Sequence, residues 1–235
     1  MSVAAQVKEL LAWLEKRGTK KNRDGMARFA IVAPKAFGVS MATMKPLVKK
    51  TARNHDLALA LWETGWHEAR MLAAMLDEPE RVTPAQMDAW AKSFNNWADC
   101  DTACFTLFDR TPHAFKKISQ WAKRREEFVK RGAFALLASV ALHDRKTEDA
   151  KFLACLPLVE AASGDDRNFV KKGVNWALRA IGERNSALNK PAVALAERLA
   201  KSEVASARWI GKDALRQLKS PAAIKRLAMR DKRYA

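Results

Sequence analysis

Phe128-Val129-Lys130-Arg131-Gly132 returns as Phe169-Val170-Lys171-Lys172-Gly173, and both copies run on into Leu- and Ala-rich sequence. A looser echo stands at Ala205-Ser206-Ala207-Arg208-Trp209, and an earlier one at His67-Glu68-Ala69-Arg70-Met71. Copies spaced near forty residues, each with a basic residue early in an apolar segment, describe one structural unit recurring along the chain. The surrounding periodicity is helical. Apolar residues recur at three- and four-residue intervals in Val3–Leu14, Ala58–Leu76, Phe128–Leu142 and Val170–Ile181. Nine Gly, one Tyr and few β-branched runs leave strands little support.

Helix starts are marked at Thr83-Pro84, Thr111-Pro112 and Ser220-Pro221, where a hydroxyl N-cap precedes a proline at the first helical position. Short breaks at Gly164-Asp165-Asp166 and Gly182–Asn185 separate segments, and no linker or low-complexity stretch divides the chain. The expectation is one all-α domain over residues 1–235, a HEAT-like repeat α-solenoid of stacked antiparallel helix pairs, with 229–235 as a frayed tail. In such a stack the second helices line one concave surface. Lys130, Arg131, Lys171, Lys172, Arg208 and Lys212 would then fall on related positions of a basic groove, rather than being scattered over an irregular bundle.

Lys and Arg number 43 against 26 Asp and Glu, a net charge of +17. An excess of this size favours a polyanion, nucleic acid through counterion release before an anionic membrane surface. No apolar run approaches the ~18 residues of a spanning helix, and Met1–Lys20 reads as a charged amphipathic helix without a signal-peptide core. The odd set Cys100, Cys104 and Cys155 suits a reducing compartment, so a cytoplasmic, nucleoid-associated protein without a membrane partner is expected. No metal or cofactor is expected either. Cys100 and Cys104 lack a completing CxxC or His and read as buried small residues. His67-Glu68 fails the HExxH pattern because position 71 is Met. Glu68 and Arg70 are expected to pair with neighbouring helices or phosphates, and His55, His113 and His143 to be surface or capping residues.

The chemistry-bearing stretch is Asn96-Trp97-Ala98-Asp99-Cys100-Asp101. Trp97 and Asp101 are four residues apart, so on a helix the ring and the carboxylate stack one above the other. That pair suits a delocalised cation. The bland alternative is a core Trp and an exposed Asp. Trp176 and Arg131 offer a second ring and a guanidinium on neighbouring repeats, whereas Trp13, Trp62, Trp66, Trp90, Trp121 and Trp209 read as packing between helices, with Trp66 or Trp209 within reach of the groove.

This stretch, with Phe128–Arg131 and Asn168–Arg179, resembles the AlkD-like DNA alkylation repair proteins. Met26-Ala27-Arg28-Phe29, Phe37-Gly38-Val39, Leu61-Trp62-Glu63 and Trp66–Arg70 agree in order, so the similarity runs from about Lys8 to Lys219. The resemblance implies a C-shaped HEAT-like glycosylase that removes N3- and N7-alkylated purines from duplex DNA in base excision repair, and that can work without flipping the base. It implies that Asp101 is the catalytic aspartate, Trp97 and Trp176 the cleft tryptophans and Arg131 the cleft arginine. Phe29 stands where some members have a tyrosine and Ser40 where some have a glutamine; with Arg28 and Arg179 they are expected on DNA. No lysine is poised as a Schiff-base nucleophile, so the expected enzyme is monofunctional and, as a concave binder, a monomer. The alternatives are a non-catalytic HEAT-repeat protein binding branched or distorted DNA, and a protein-interaction scaffold.

Overall fold

Polar caps set where most helices begin. Ser2, Thr19, Ser40 and Asn54 each accept a backbone N–H at the starts of α1 (Val3–Arg17), α2 (Lys20–Met26), α3 (Met41–Lys50) and α4 (His55–Glu63). Thr83 caps α6 (Pro84–Lys92), with proline at its first position as the sequence predicts, after α5 (His67–Leu76). Asn96 caps α7 (Trp97–Thr106). The chain continues through α8 (Ala114–Trp121), α9 (Glu127–His143), α10 (Asp149–Leu153), α11 (Leu156–Ala162), α12 (Asn168–Gly182), α13 (Ser186–Ala200), α14 (Ala205–Leu218) and α15 (Pro221–Tyr234). This computed structural model describes residues 1–234, with side chains through Asp231, and no strand occurs among the described residues.

Two boundaries differ from expectation. Thr111-Pro112 does not start a helix: the Thr111 hydroxyl donates to the Phe108 carbonyl 2.9 Å away, closing the short 3-10 turn Phe108–Arg110, and α8 begins only at Ala114. The apolar run Ala58–Leu76 is split between α4 and α5 at Gly65, whose φ of +70° lies in the left-handed region that favours glycine. At the C-terminus α15 carries the run from Met229 onward through Tyr234. Arg230 donates to the Glu183 carbonyl and Asp231 accepts from the Ser186 N–H at 3.2 Å, which ties this helix to the turn before α13. Ala235 lies outside the described residues.

The chain falls into two compact units, Met1–Pro112 and His113–Ala235. In the first, α4 packs on α5 and α1, and α5 packs on α7. Its core holds Leu14, Met44, Leu57, Leu61, Leu72 and Met87, with the Trp62 and Trp90 rings stacked at 3.9 Å. In the second, α9 packs on α12 and α12 on α14, while α8 and α13 cover them. These inner helices carry the repeated motif, and the repeat has a physical cause: Phe128 and Phe169 touch, ring centroids 5.3 Å apart. α9 is buried without interruption from Arg131 to Ala141, as an inner helix with neighbours on all sides must be. No helix among the described residues is long and apolar enough to cross a membrane.

Candidate active site

The first turn of α7 is built by Asn96 and Asp99. The Asn96 side-chain oxygen accepts the N–H groups of Ala98 and Asp99 at 2.9 and 3.0 Å, and its amide nitrogen donates to Asp99 Oδ2 at 3.0 Å. Asp99 is buried. Its other oxygen lies 2.6 Å from Nδ1 of His67, and the Arg70 guanidinium stands 3.9 Å away. Arg70 also donates to the Ser93 carbonyl at 3.2 Å and lies over the Trp62 ring. Burial works against a charged His67, but the hydrogen bond to Asp99 and the charges of Asp99 and Glu68 outweigh it and hold the imidazole above its usual 6.5. This cluster fixes α7 against α5.

With Asp99 committed inward, Asp101 falls on a different face of the helix, in register with Trp97. Both line a cavity of about 620 Å³ within the first unit. Trp97 is oriented by a hydrogen bond from Nε1 to the Phe29 carbonyl, 2.8 Å. Arg28, Phe29 and Ser40 line the same cavity, with Met26, Ile31 and Met71 supplying apolar wall. Arg28 and Phe29 belong to a 3-10 turn, Ala27–Phe29, that ends in Ala30 at φ +54°. Ser40 caps α3 by accepting from the Thr43 N–H at 3.2 Å.

Glu68 shapes another wall. Its carboxylate is buried and accepts three backbone N–H groups, Phe37 at 3.0 Å, Gly38 at 2.7 Å and Val39 at 3.0 Å. Gly38 has φ +83°, and a Cβ there would lie 2.4 Å from the Thr19 carbonyl oxygen, so only glycine fits. Glu68 therefore binds a loop, correcting the expectation of a helix or phosphate partner; α7 and Ser93 take Arg70 as expected. His55 is likewise corrected. It is buried, with Nδ1 2.7 Å from Asp77, because it opens α4 against the end of α5. These pairings left one signal in sequence, a charged residue in each helix's first turn, which reads equally well as a macrodipole complement.

In the second unit Trp176 is half-buried on α12. Arg131 is buried on α9 and donates to the Phe169 carbonyl at 2.7 Å. Lys130 pairs with Asp165 at 3.0 Å, and the Lys171 ammonium sits over the Trp209 ring at 5.1 Å. Arg208 donates to the carbonyls of Ser202 and Glu203, and Arg179 donates to Gln217. Lys172 and Lys212 are exposed. All three cysteines are buried, and burial pushes Cys155 up to about 11 and Cys104 well above its usual value. Cys104 and Cys155 are therefore thiols at neutral pH, unsuited to attack or ligation. No group of three or more His, Cys, Asp or Glu among the described residues could hold a metal ion.

The profile of the DNA alkylation repair enzyme family matches residues 10–227. The chain belongs to that family. A solved structure, described as a new family of proteins related to the HEAT-like repeat DNA glycosylases with affinity for branched DNA structures, shares the fold at a TM-score of 0.74. That match covers 90% of this chain and 95% of the other at 20% sequence identity. No curated sequence matches the chain. The family's span reaches from α1 into α15, so the Trp97/Asp101 cavity and the α12 segment bearing Trp176 both lie inside it.

Proposed function

We propose that this DNA alkylation repair family member hydrolyses the N-glycosidic bond of purines made cationic by alkylation at N3 or N7, in duplex DNA, and leaves an abasic site. The observation that carries this reading is the division of labour on α7: Asp99 is buried in an ion pair while Asp101 lines a cavity beside a Trp ring. An alkylated purine is already a good leaving group, so little general-acid assistance is needed. As the bond lengthens, positive charge grows on the deoxyribose. A carboxylate beside it stabilises that oxocarbenium-like state and orients or deprotonates the attacking water. The charge logic is that of glycoside hydrolysis with one essential carboxylate. The Trp97 face favours a cationic base by about 0.5–2 kcal/mol, which a neutral base does not receive. From the second unit, Trp176 is assigned a matching ring contact and Arg131 a phosphate contact by the family resemblance. The protein is proposed to act as a monomer.

Chromatography of bases freed from methylated duplex DNA tests the reading. The wild type should release N7-methylguanine or N3-methyladenine. Asp101→Asn should release them about 100-fold more slowly while still binding DNA. A wild-type protein that frees no base sinks the proposal. The shared fold with a protein of described affinity for branched DNA favours a second reading, non-catalytic binding of distorted duplexes. It predicts tight, salt-dependent binding and no free base.

A further inference from the structure

The loop whose first residues carry the Trp97 contact holds two large apolar side chains out in solvent. Phe29 and Val32 are each 69% exposed, on the short loop that leaves the 3-10 turn Ala27–Phe29. Both stems of this loop are fixed. On one side Ala30 closes onto the Ala27 carbonyl at 2.9 Å, Ile31 onto the Met26 carbonyl at 3.1 Å, and the Phe29 carbonyl accepts the Trp97 indole N–H. On the other, the Lys35 carbonyl accepts the His67 N–H at 2.9 Å, and the Phe37 ring stacks on Trp66 at 4.0 Å. The left-handed backbone at Ala30, unusual for a residue with a Cβ, turns the tip outward. A loop so anchored cannot readily fold its apolar tip back into the core. The charge around it selects a partner. Residues 25–40 contain no acidic side chain, and Lys21, Arg28 and Lys35 are exposed on or beside the loop.

We propose that Phe29 and Val32 form an apolar wedge that enters duplex DNA at an opened base step next to the nucleotide held against Trp97. Apolar side chains inserted between base pairs unstack them at a cost that is smallest where stacking is already broken, while flanking cations hold the phosphates. The wedge would therefore favour a lesion, gap or junction over intact duplex. The inference rests on the proposed action on DNA and not on base release.

The test uses the whole protein and a duplex carrying an abasic-site analogue next to 2-aminopurine, with the intact duplex as control. Wild type should bind the abasic duplex more tightly than the intact one and raise 2-aminopurine fluorescence on binding. The double variant Phe29→Ser/Val32→Ser should keep its melting temperature and lose less affinity for the intact duplex than for the abasic one. It should lose about tenfold in affinity for the abasic duplex and lose the fluorescence rise. Phe29→Leu, which keeps an apolar tip, should retain most of both. Equal affinities and equal fluorescence for wild type and double variant overturn the wedge and leave this patch to a protein partner. Base release that persists unchanged in the double variant, with unchanged binding, removes the wedge but not the glycosylase. Loss of selectivity in a protein that frees no base does the reverse.

Discussion

Nδ1 of His67 lies 2.6 Å from a carboxylate oxygen of Asp99, tying α5 to the first turn of the helix that presents Trp97 and Asp101. Both partners are buried, so the pair is little screened by solvent. The folded-state pKa of His67 is raised above its ordinary value of 6.5. A raised pKa contributes stability that is fully present below the unfolded value and is lost as pH rises through the folded one. Asp99→Asn should therefore lower the melting temperature more at about pH 5.5 than at about pH 8.5, the gap to wild type closing above the ordinary imidazole range. A gap independent of pH would mean that His67 does not take up its proton in the folded state.

Glu68 makes a sharper stability prediction. Its carboxylate is an acceptor only, and three N–H groups of Phe37–Val39 converge on it. Glu68→Gln turns one oxygen into an N–H₂ group facing a donor, at a side chain buried from solvent. A cost of about 2–4 kcal/mol follows from losing charge-assisted bonds and stranding a buried donor. Chemical denaturation measures it. Limited proteolysis should show new cleavage around residues 37–39, because three backbone N–H groups of that stretch end on Glu68.

Gly211 marks a close approach of α14 to α13 in the second unit. A Cβ at this position would lie 2.2 Å from the Ala200 nitrogen and 2.6 Å from the Ala196 carbonyl oxygen. Those are backbone atoms of α13 and cannot rotate aside. Gly211→Ala should thus force α13 and α14 apart and destabilise the protein by about 3 kcal/mol or more. Calorimetry would show it directly. A near-neutral result would mean that α14 packs on α13 less closely than these distances require.

The fold was legible because its repeat is self-contacting: Phe128 and Phe169 recur in sequence since they meet across α9 and α12. The pairing of Trp97 with Asp101 was legible because helix geometry alone places residues four apart on one face. The supports of the site were not. Glu68 meets Phe37–Val39 some thirty residues away, and His67 meets Asp99 at a similar separation, contacts that no local pattern encodes. Thr111 shows a local ambiguity: a hydroxyl before proline can cap forward or bond backward to the preceding turn, and here it bonds backward. Charge in the second unit was the least legible, because sequence cannot distinguish a lysine kept for a ligand from one held by the protein.

That last distinction can be measured with DNA. Lys172 and Lys212 are exposed, whereas Lys130 is only 19% exposed and bonds to Asp165 at 3.0 Å. The Arg167 guanidinium, opposed by partial burial and joined by Lys130, keeps the Asp165 carboxyl well below the usual carboxylate range, so the partner of Lys130 is charged at any working pH. An ammonium already neutralised by a carboxylate releases few counterions from DNA. Lys172→Ala and Lys212→Ala should each flatten the plot of log affinity against log salt by about one unit and leave stability unchanged. Lys130→Ala should leave that slope unchanged and cost about 1 kcal/mol of folding stability. If Lys130→Ala instead flattens the slope as much as the other two, its bond to Asp165 gives way to phosphate in the complex.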